Sequence, residues 1–355
     1  MSQARQSDAS ADASADVRDL VAGLPADFER FAITYEREIR PALQAREGER
    51  EAAARTARQA TWGGGLVGVA GVASGFVVFN EPIVSIVSGL VAAGAIAIGR
   101  HPMGKLKRQS KALFVEPIAR SFDLDFIADP GFVDTAGTLR AAGLIPRFDR
   151  SAFEDRLVGQ RHGIDFEFFE AHLKQRRTET RNGRTHTKYV TVFKGQCLRF
   201  SFHKRFFGET LVTRDAGIFN RFGGRRGMDR AILEDPTFEK AFEVYTTDQV
   251  EARFILTPDL MQRLVDLEKV FKGKKLRCAF AGDEMLVAVE GEDLFEPGDL
   301  FRPMDDPARV RGVLEDFAVV FTLMESVTTA RDAEETERGA PPALPTGENG
   351  AKPGV

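Results

Sequence analysis

Cysteine, tryptophan and tyrosine are scarce in this chain, with two, one and three copies among 355 residues. Cys197 and Cys278 lie far apart and outside any Cys-x-x-Cys spacing. That excludes a disulfide-stapled fold and a thiolate zinc site, and fits a reducing compartment. Both fall among alternating residues of expected strands and read as core thiols. Histidine is nearly as rare: His101, His162, His172, His186 and His203, none at ligand spacing from another His or Cys. The chain has no P-loop, no dinucleotide glycine fingerprint, no Gly-x-Ser-x-Gly elbow and no His-Glu-x-x-His motif. The sequence thus nominates no catalytic residue, no metal ligand and no cofactor site. Net charge is −4, so no global field points to nucleic acid, and none is expected as a partner.

Charge itself is missing from residues 61–99, where Glu81 stands alone beside Asn80 and Pro82. Two apolar runs, 62–79 and 83–99, read as helices joined by a tight turn, with Pro82 suited to the first turn of the second. At about 1.5 Å per residue each measures roughly 25–27 Å, the short end of a bilayer core of about 30 Å. The expectation is a two-span transmembrane hairpin with Trp62 at the interface. Gly64, Gly68, Gly71 and Gly75 share one helix face, and Ser88, Ala92, Ala95 and Gly99 repeat that spacing. Such small-residue faces suit helix packing, within the hairpin or between copies in an oligomer. Arg46, Arg50, Arg55 and Arg58 precede the hairpin, and Arg100, Lys105, Lys107, Arg108 and Lys111 follow it. By the positive-inside rule both termini are cytoplasmic, at a bacterial inner membrane. No signal peptide is expected, because the apolar run starts some 60 residues in.

What is abundant is phenylalanine, with 29 copies, which predicts Phe-packed cores. The expected fold class is α+β: the transmembrane hairpin followed by a cytoplasmic domain with a mainly antiparallel sheet and flanking helices. Residues 1–17 are polar, low-complexity and expected to be disordered, and 18–60 form a cytoplasmic helix. Residues 100–145 make a helical connector, including a helix over 130–142 closed by Gly143. The α+β domain covers 146–328, and 329–355 are a disordered tail. Period-two alternation predicts strands near 154–161, 164–175, 188–202 and 208–214, with turns at His162-Gly163 and Asn182-Gly183. Residues 235–246 are ambiguous between helix and strand. Thr257-Pro258 starts a helix to about Phe271, Gly282-Asp283 joins a hairpin of 275–281 and 285–290, and 310–327 reads as a last helix.

Three segments carry charge in suggestive places. His162, Asp165 and Glu167 straddle a turn, but metal sites need three or four converging ligands, and a solvated loop explains them. Glu239, Glu243, Asp248, Glu251 and Arg253 crowd together, and helix-surface pairing explains them better than acid–base work. Gly223-Gly224 with Arg221, Arg225 and Arg226 is a weak phosphate cradle. The stronger signal is charge partition. Residues 174–226 hold 14 Lys/Arg against Glu179, Glu209 and Asp215, netting +11. Residues 283–316 hold 11 Asp/Glu against three Lys/Arg, netting −8. Lys174, Arg176, Arg177, Arg181, Arg184, Lys204, Arg205, Arg225 and Arg226 are the candidate contacts for anionic lipid headgroups or a protein partner. Alternatively the two segments face each other or are solvated separately.

Three stretches stand out between about Phe148 and Val327: IDFEFFEAHL at 164–173, VFKGQCLRFSF at 192–202 and, most specifically, DPTFEKAFEVYTTDQVEARFILTPDLMQRL at 235–264. Through them this part of the chain resembles a bacterial family known as domain of unknown function 3137. It implies a membrane-anchored protein with no assigned activity and no catalytic residues to transfer, and it suggests a LemA-type membrane protein as partner. The expected function is a membrane-anchored binding or scaffolding module. The alternative is a membrane-bound enzyme acting on a lipid or a phosphorylated substrate.

Overall fold

A computed structural model describes residues 21–24, 28–77, 82–161, 163–181, 184–201, 205–214, 227–270, 275–296 and 301–322. The turn of the apolar hairpin, both chain ends, the Gly223-Gly224 cradle, His162 and the Asn182-Gly183 turn lie outside them. A short helix α1 (Glu29–Thr34), a π-helical turn (Tyr35–Ile39) and α2 (Arg40–Ala45) lead into two long helices, α3 (Glu47–Val77) and α4 (Pro82–Ser121). Then come β1 (Leu124–Ile127), the short helix α5 (Thr135–Ala141), β2 (Arg150–Arg161), β3 (Ile164–Arg181), β4 (Arg184–Ser201) and β5 (Thr210–Arg214). The chain continues through β6 (Asp229–Ala231), α6 (Pro236–Ala241), β7 (Phe242–Thr246), α7 (Gln249–Ile255), α8 (Pro258–Val270), β8 (Leu276–Ala281), β9 (Glu284–Glu290) and a helix α9 over 307–322.

The nine strands form one sheet in the order β1-β2-β3-β4-β9-β8-β5-β7-β6, with every pairing antiparallel. Alternation along β3 sorts its side chains. Ile164, Phe166 and Phe168 enter a large core beneath α1, α4, α8 and α9, while Phe169, Ala171 and Leu173 enter a smaller one shared with α5. A bulge between Glu154 and Leu157 switches β2 between these cores: Phe153 belongs to the smaller and Leu157 to the larger. The largest fully buried side chains are all phenylalanines, among them Phe168, Phe200, Phe238, Phe295 and Phe317. Phe295 bridges the sheet to α9, 5.8 Å from Phe168 and 4.7 Å from Phe317 between ring centroids.

Several expectations need revising. The 100–145 connector is not helical throughout, because α4 runs on to Ser121 and then gives way to edge strand β1. The segment 235–246 is both of its alternatives in turn: Asp235 caps α6 through the amides of Thr237 and Phe238, and the chain then extends into β7. Helix 18–60 is broken into pieces by the π-helical turn. Strands β3 and β4 run farther toward the Asn182-Gly183 turn than the expected 164–175 and 188–202.

The larger correction concerns the apolar runs. Among the described residues no helix is long and apolar enough to cross a membrane. The transmembrane hairpin over 62–79 and 83–99, and with it the two-span inner-membrane placement with cytoplasmic termini, is therefore overturned. The physical reason lies in composition. In α3 the apolar part is confined between Arg58 and Val77 and is diluted by Gly63, Gly64, Gly65, Gly68, Gly71 and Ser74. These side chains contribute almost no transfer free energy, so close packing is gained at the expense of hydropathy.

The two helices do pair, antiparallel and at close range. A Cβ added at Gly64 would lie 2.8 Å from Ile96 Cγ1, one at Gly68 would lie 3.0 Å from Ala92 Cβ, and one at Gly71 would overlap Ser88 Cβ. Ser85 Oγ donates to the Val72 carbonyl at 3.2 Å across the same seam. Gly75 lies farther along α3, Gly99 farther along α4, and Ala95 is exposed. Leu66, Val69, Ile86, Leu90 and Ile98 point away from the seam and are exposed. Gly71→Ala is expected to push the helices apart, costing about 1–3 kcal/mol as overpacking does. Adding Ser88→Gly should restore most of that loss, as read by thermal unfolding followed by helical circular dichroism. A single variant as stable as the parent would show that the seam is not closed at this point.

Candidate functional site

The charges of this domain separate into those that answer one another and those that do not. The acidic segment 283–316 meets the inner part of β4. Lys194 Nζ lies 3.4 Å from Glu292 and 3.1 Å from Asp293, and Arg199 lies 2.8 Å from Glu284. Elsewhere Arg156 binds Glu167, Arg214 binds Glu268 and Arg277 binds Glu290. Part of the +11 segment is thus neutralised within the fold, as one reading of the sequence allowed.

The remainder is not neutralised, because of how long β3 and β4 are. Their pairing continues past both neighbours: β2 ends at the pair Arg150↔Lys174, and β9 ends at Gly195↔Glu290. Residues 175–181 and 184–190 therefore form a two-stranded arm with no third strand among the described residues. The arm extends roughly 20 Å at about 3.4 Å per residue. Register places Arg176↔Tyr189, Thr178↔Thr187 and Thr180↔Thr185 on one face. Arg177↔Lys188, Glu179↔His186 and Arg181↔Arg184 lie on the other. Glu179 is the arm's one carboxylate, and it is taken by Lys188. Arg176 and Arg177 are exposed and make no ion pair among the described residues. Lys174 is half-buried at the arm's foot, and Arg205 is exposed in the loop after β4, away from the arm's pairing. Lys204, Arg225 and Arg226 lie outside the described residues, and Arg181 and Arg184 are described only as positions on the arm.

Cations that the sequence reading missed join this group at the arm's foot. The Arg150 guanidinium lies 3.7 Å from the Tyr189 ring centroid, and that of Arg140 lies 5.8 Å from the Phe148 centroid. Arg147 stands between them in sequence and is exposed. A cavity of about 750 Å³ opens here, lined by Arg140, Ile145, Arg147, Phe148, Asp149 and Gln175 among others. The signal for these arginines was absent from sequence because they precede the basic segment and sit on α5, the loop after it and the start of β2. A second cavity, of about 360 Å³, lies on the other side of α5, with Glu209, Asp283 and Glu284 in its wall.

The other sequence candidates turn out to be structural. Glu167 accepts from Arg156 Nε at 2.6 Å and from Thr135, while Asp165 accepts from Gln160, so they do not form a ligand set. Glu251 accepts the amides of Phe207 and Gly208, Asp248 caps α7, Glu239 accepts the Leu233 amide and Arg253 donates to the Gln249 carbonyl. Among the described residues no group of three or more His, Cys, Asp or Glu is placed to hold a metal ion. Cys197 and Cys278 are fully buried, and burial pushes both thiols up, away from thiolate chemistry.

One buried charge cluster has no counterpart in the sequence reading. Lys111 of α4 pairs with Asp155 and, at 3.4 Å, with Glu296. Asp155 sits in the β2 bulge at φ +55°, a conformation that Asp tolerates, and this turns its side chain inward. Next to them Glu170 accepts the Leu294 amide at 2.5 Å, and Asp316 accepts the Phe295 amide at 2.7 Å. The strap 291–296 is thereby pinned from both sides, with Gln196 Nε2 donating to the Glu292 carbonyl at 2.6 Å. One ammonium faces several carboxylates, so Lys111 is held charged and the acids compete. Burial pushes Asp155 up to about 7 against the pull of Lys111, pushes Glu170 up to about 9 with the Asp155 charge adding, and pushes Asp316 up to about 6. Because Glu170 binds its proton more tightly folded than unfolded, its contribution is fully present below pH 4.5 and is lost as pH rises toward 9. Asp155 acts with the same sign between about 4 and 7. The expected outcome is a melting temperature that falls from pH 5 to pH 9. Glu170→Gln should flatten the profile while keeping an acceptor for Leu294. An unchanged slope in the variant would assign the pH dependence elsewhere.

The chain's relatives add little beyond a family. No curated protein matches it. One solved structure, the crystal structure of the mycobacterial trehalose monomycolate transport factor A, TtfA, is similar at 10% identity, covering 63% of this chain and 97% of that chain. Its TM-score of 0.32 is too low to argue from. Residues 191–328 match the family model described as Protein of unknown function (DUF3137), so this part of the chain is similar to that family.

Proposed function

We propose that the domain is a non-catalytic binding module that presents its β3–β4 arm to an anionic surface, with phosphate-bearing lipid headgroups as the partner chemistry. The single observation that carries this reading is the split in charge. Cations at 194–199 are answered by Glu284, Glu292 and Asp293, whereas Arg176 and Arg177, on the arm, find no carboxylate among the described residues. With no third strand beside it among the described residues, the arm keeps both faces accessible, so cations on each can approach one surface or straddle a ridge. Each Lys or Arg near an anionic leaflet is worth about 1 kcal/mol, and the attraction decays over a Debye length of about 8 Å at physiological salt. The Phe residues that interleave the cations of β4 support the same reading: Phe193 and Phe200 are buried in the cores rather than displayed for stacking on bases.

The test is co-sedimentation of the full chain with vesicles of phosphatidylglycerol or of phosphatidylcholine. Binding is expected with the anionic vesicles alone and should weaken as salt rises. The combined variant Arg176→Glu, Arg177→Glu, Arg181→Glu and Arg184→Glu should weaken it by about a hundredfold or more, since several kcal/mol of attraction become repulsion. Equal binding to both vesicle types, or undiminished binding by the variant, overturns the reading.

A further inference from the structure

We infer that the cavity at the foot of the arm binds a phosphate ester carried on an apolar body. This rests on the binding-module reading and gives that module a small ligand of its own. The volume of about 750 Å³ lies within the range of about 300–1,000 Å³ typical of small-molecule sites. Two kinds of wall meet in it. Arg140 from α5 and Arg147 from the following loop supply guanidinium donors, with Gln175 of β3 adding an amide. Ala141, Ile145 and Phe148 supply apolar surface.

The cationic wall is available to a ligand. Neither Arg140 nor Arg147 meets a carboxylate among the described residues, although Arg156, Arg199, Arg214, Arg230 and Arg277 all do. The Arg140 guanidinium lies over the Phe148 ring, 5.8 Å from its centroid, and an aromatic face takes up none of its N–H donors. Asp149, the carboxylate in the lining, already accepts the Arg176 amide at 2.7 Å, and its own amide donates to the Lys174 carbonyl at 2.9 Å. It therefore belongs to the end of the β2–β3 ladder. The lining nets one positive charge, Arg140 and Arg147 against Asp149, which suits an anion. Planar N–H forks match the paired oxygens of a phosphate. A bare ion would leave the Ile145–Phe148 side unfilled, and a neutral apolar molecule would gain nothing from the two arginines.

The phosphate could come from a lipid headgroup or from a free ion, and three soluble probes separate these sources. Isothermal titration of the full chain would use dihexanoyl phosphatidic acid, dihexanoyl phosphatidylcholine and inorganic phosphate. Phosphatidic acid is expected to bind most tightly. Inorganic phosphate should be at least tenfold weaker, because it lacks the apolar part. Phosphatidylcholine should be at least tenfold weaker, because its quaternary ammonium faces the arginines. Arg140→Gln and Arg147→Gln, both at exposed positions, should each weaken phosphatidic acid by about tenfold, the worth of a charge-assisted hydrogen bond. The fourfold arm variant should leave that binding unchanged while losing vesicles. No heat with phosphatidic acid, equal affinity for inorganic phosphate, or indifference to both Arg→Gln variants overturns the cavity proposal. Loss of vesicle binding in the arm variant would still uphold the arm, and phosphatidic acid binding without vesicle binding would remove the arm reading alone.

Discussion

The rest of the molecule hangs on the antiparallel pairing of β3 with β4. These strands are neighbours from Asp165↔Ser201 to Arg181↔Arg184, with one irregularity near Leu173. Because side chains alternate with a period of two, this one register decides what each face of the sheet receives. On one side stand Phe166, Phe168, Leu198 and Phe200, over which α4, α8 and α9 pack; on the other stand Phe169, Leu173, Phe193 and Cys197, covered by α5. The slip of a single residue would exchange the phenylalanines between the two cores and bring Glu167 and Arg199 into the larger one. Beyond Lys174 the same ladder continues without neighbours and becomes the arm, so core and binding surface share one pair of strands.

The electrostatics follow from that geometry. Where β4 has β9 beside it, its cations lie next to carboxylates and are neutralised. Where it runs free, the one carboxylate that an arm cation meets among the described residues is Glu179, paired with Lys188. Surface pairs of this kind add little stability, typically well under 1 kcal/mol, so the unpaired arginines cost the fold little. The cluster at Lys111 is of a different kind. Its acids are buried against one ammonium, and the strap 291–296 depends on their oxygens. That strap carries Phe295, the ring that joins sheet to α9, so polar and aromatic contacts secure the same six residues.

Sequence periodicity located β2, β3, β4, β5, β8 and β9, because alternation is local and strong there. The Thr257-Pro258 start of α8 was legible for the same reason: a cap and an N1 proline are neighbours in sequence. Edge strand β1 was not legible, since four residues carry too little pattern. The extra length of β3 and β4 was hidden because residues exposed on both faces show no hydrophobic period. Arg140, Arg147 and Arg150 were missed because the basic segment was defined along the chain, and they join it only in space. The apolar runs misled for a more general reason. Counting charges finds a hydrophobic segment, but glycine and serine are uncharged without being hydrophobic, and here they close a helix seam.

By itself the sequence determined the class of the domain, the antiparallel sheet, the phenylalanine cores and the lack of catalytic motifs, because these depend on composition and on patterns a few residues long. Only the tertiary structure decided which charges are answered. Lys194 and Lys188 lie six residues apart on one strand, yet the first meets Glu292 and Asp293 while the second meets Glu179 within the arm. Coulomb attraction acts over a few ångströms of space, and distance along the chain does not enter it.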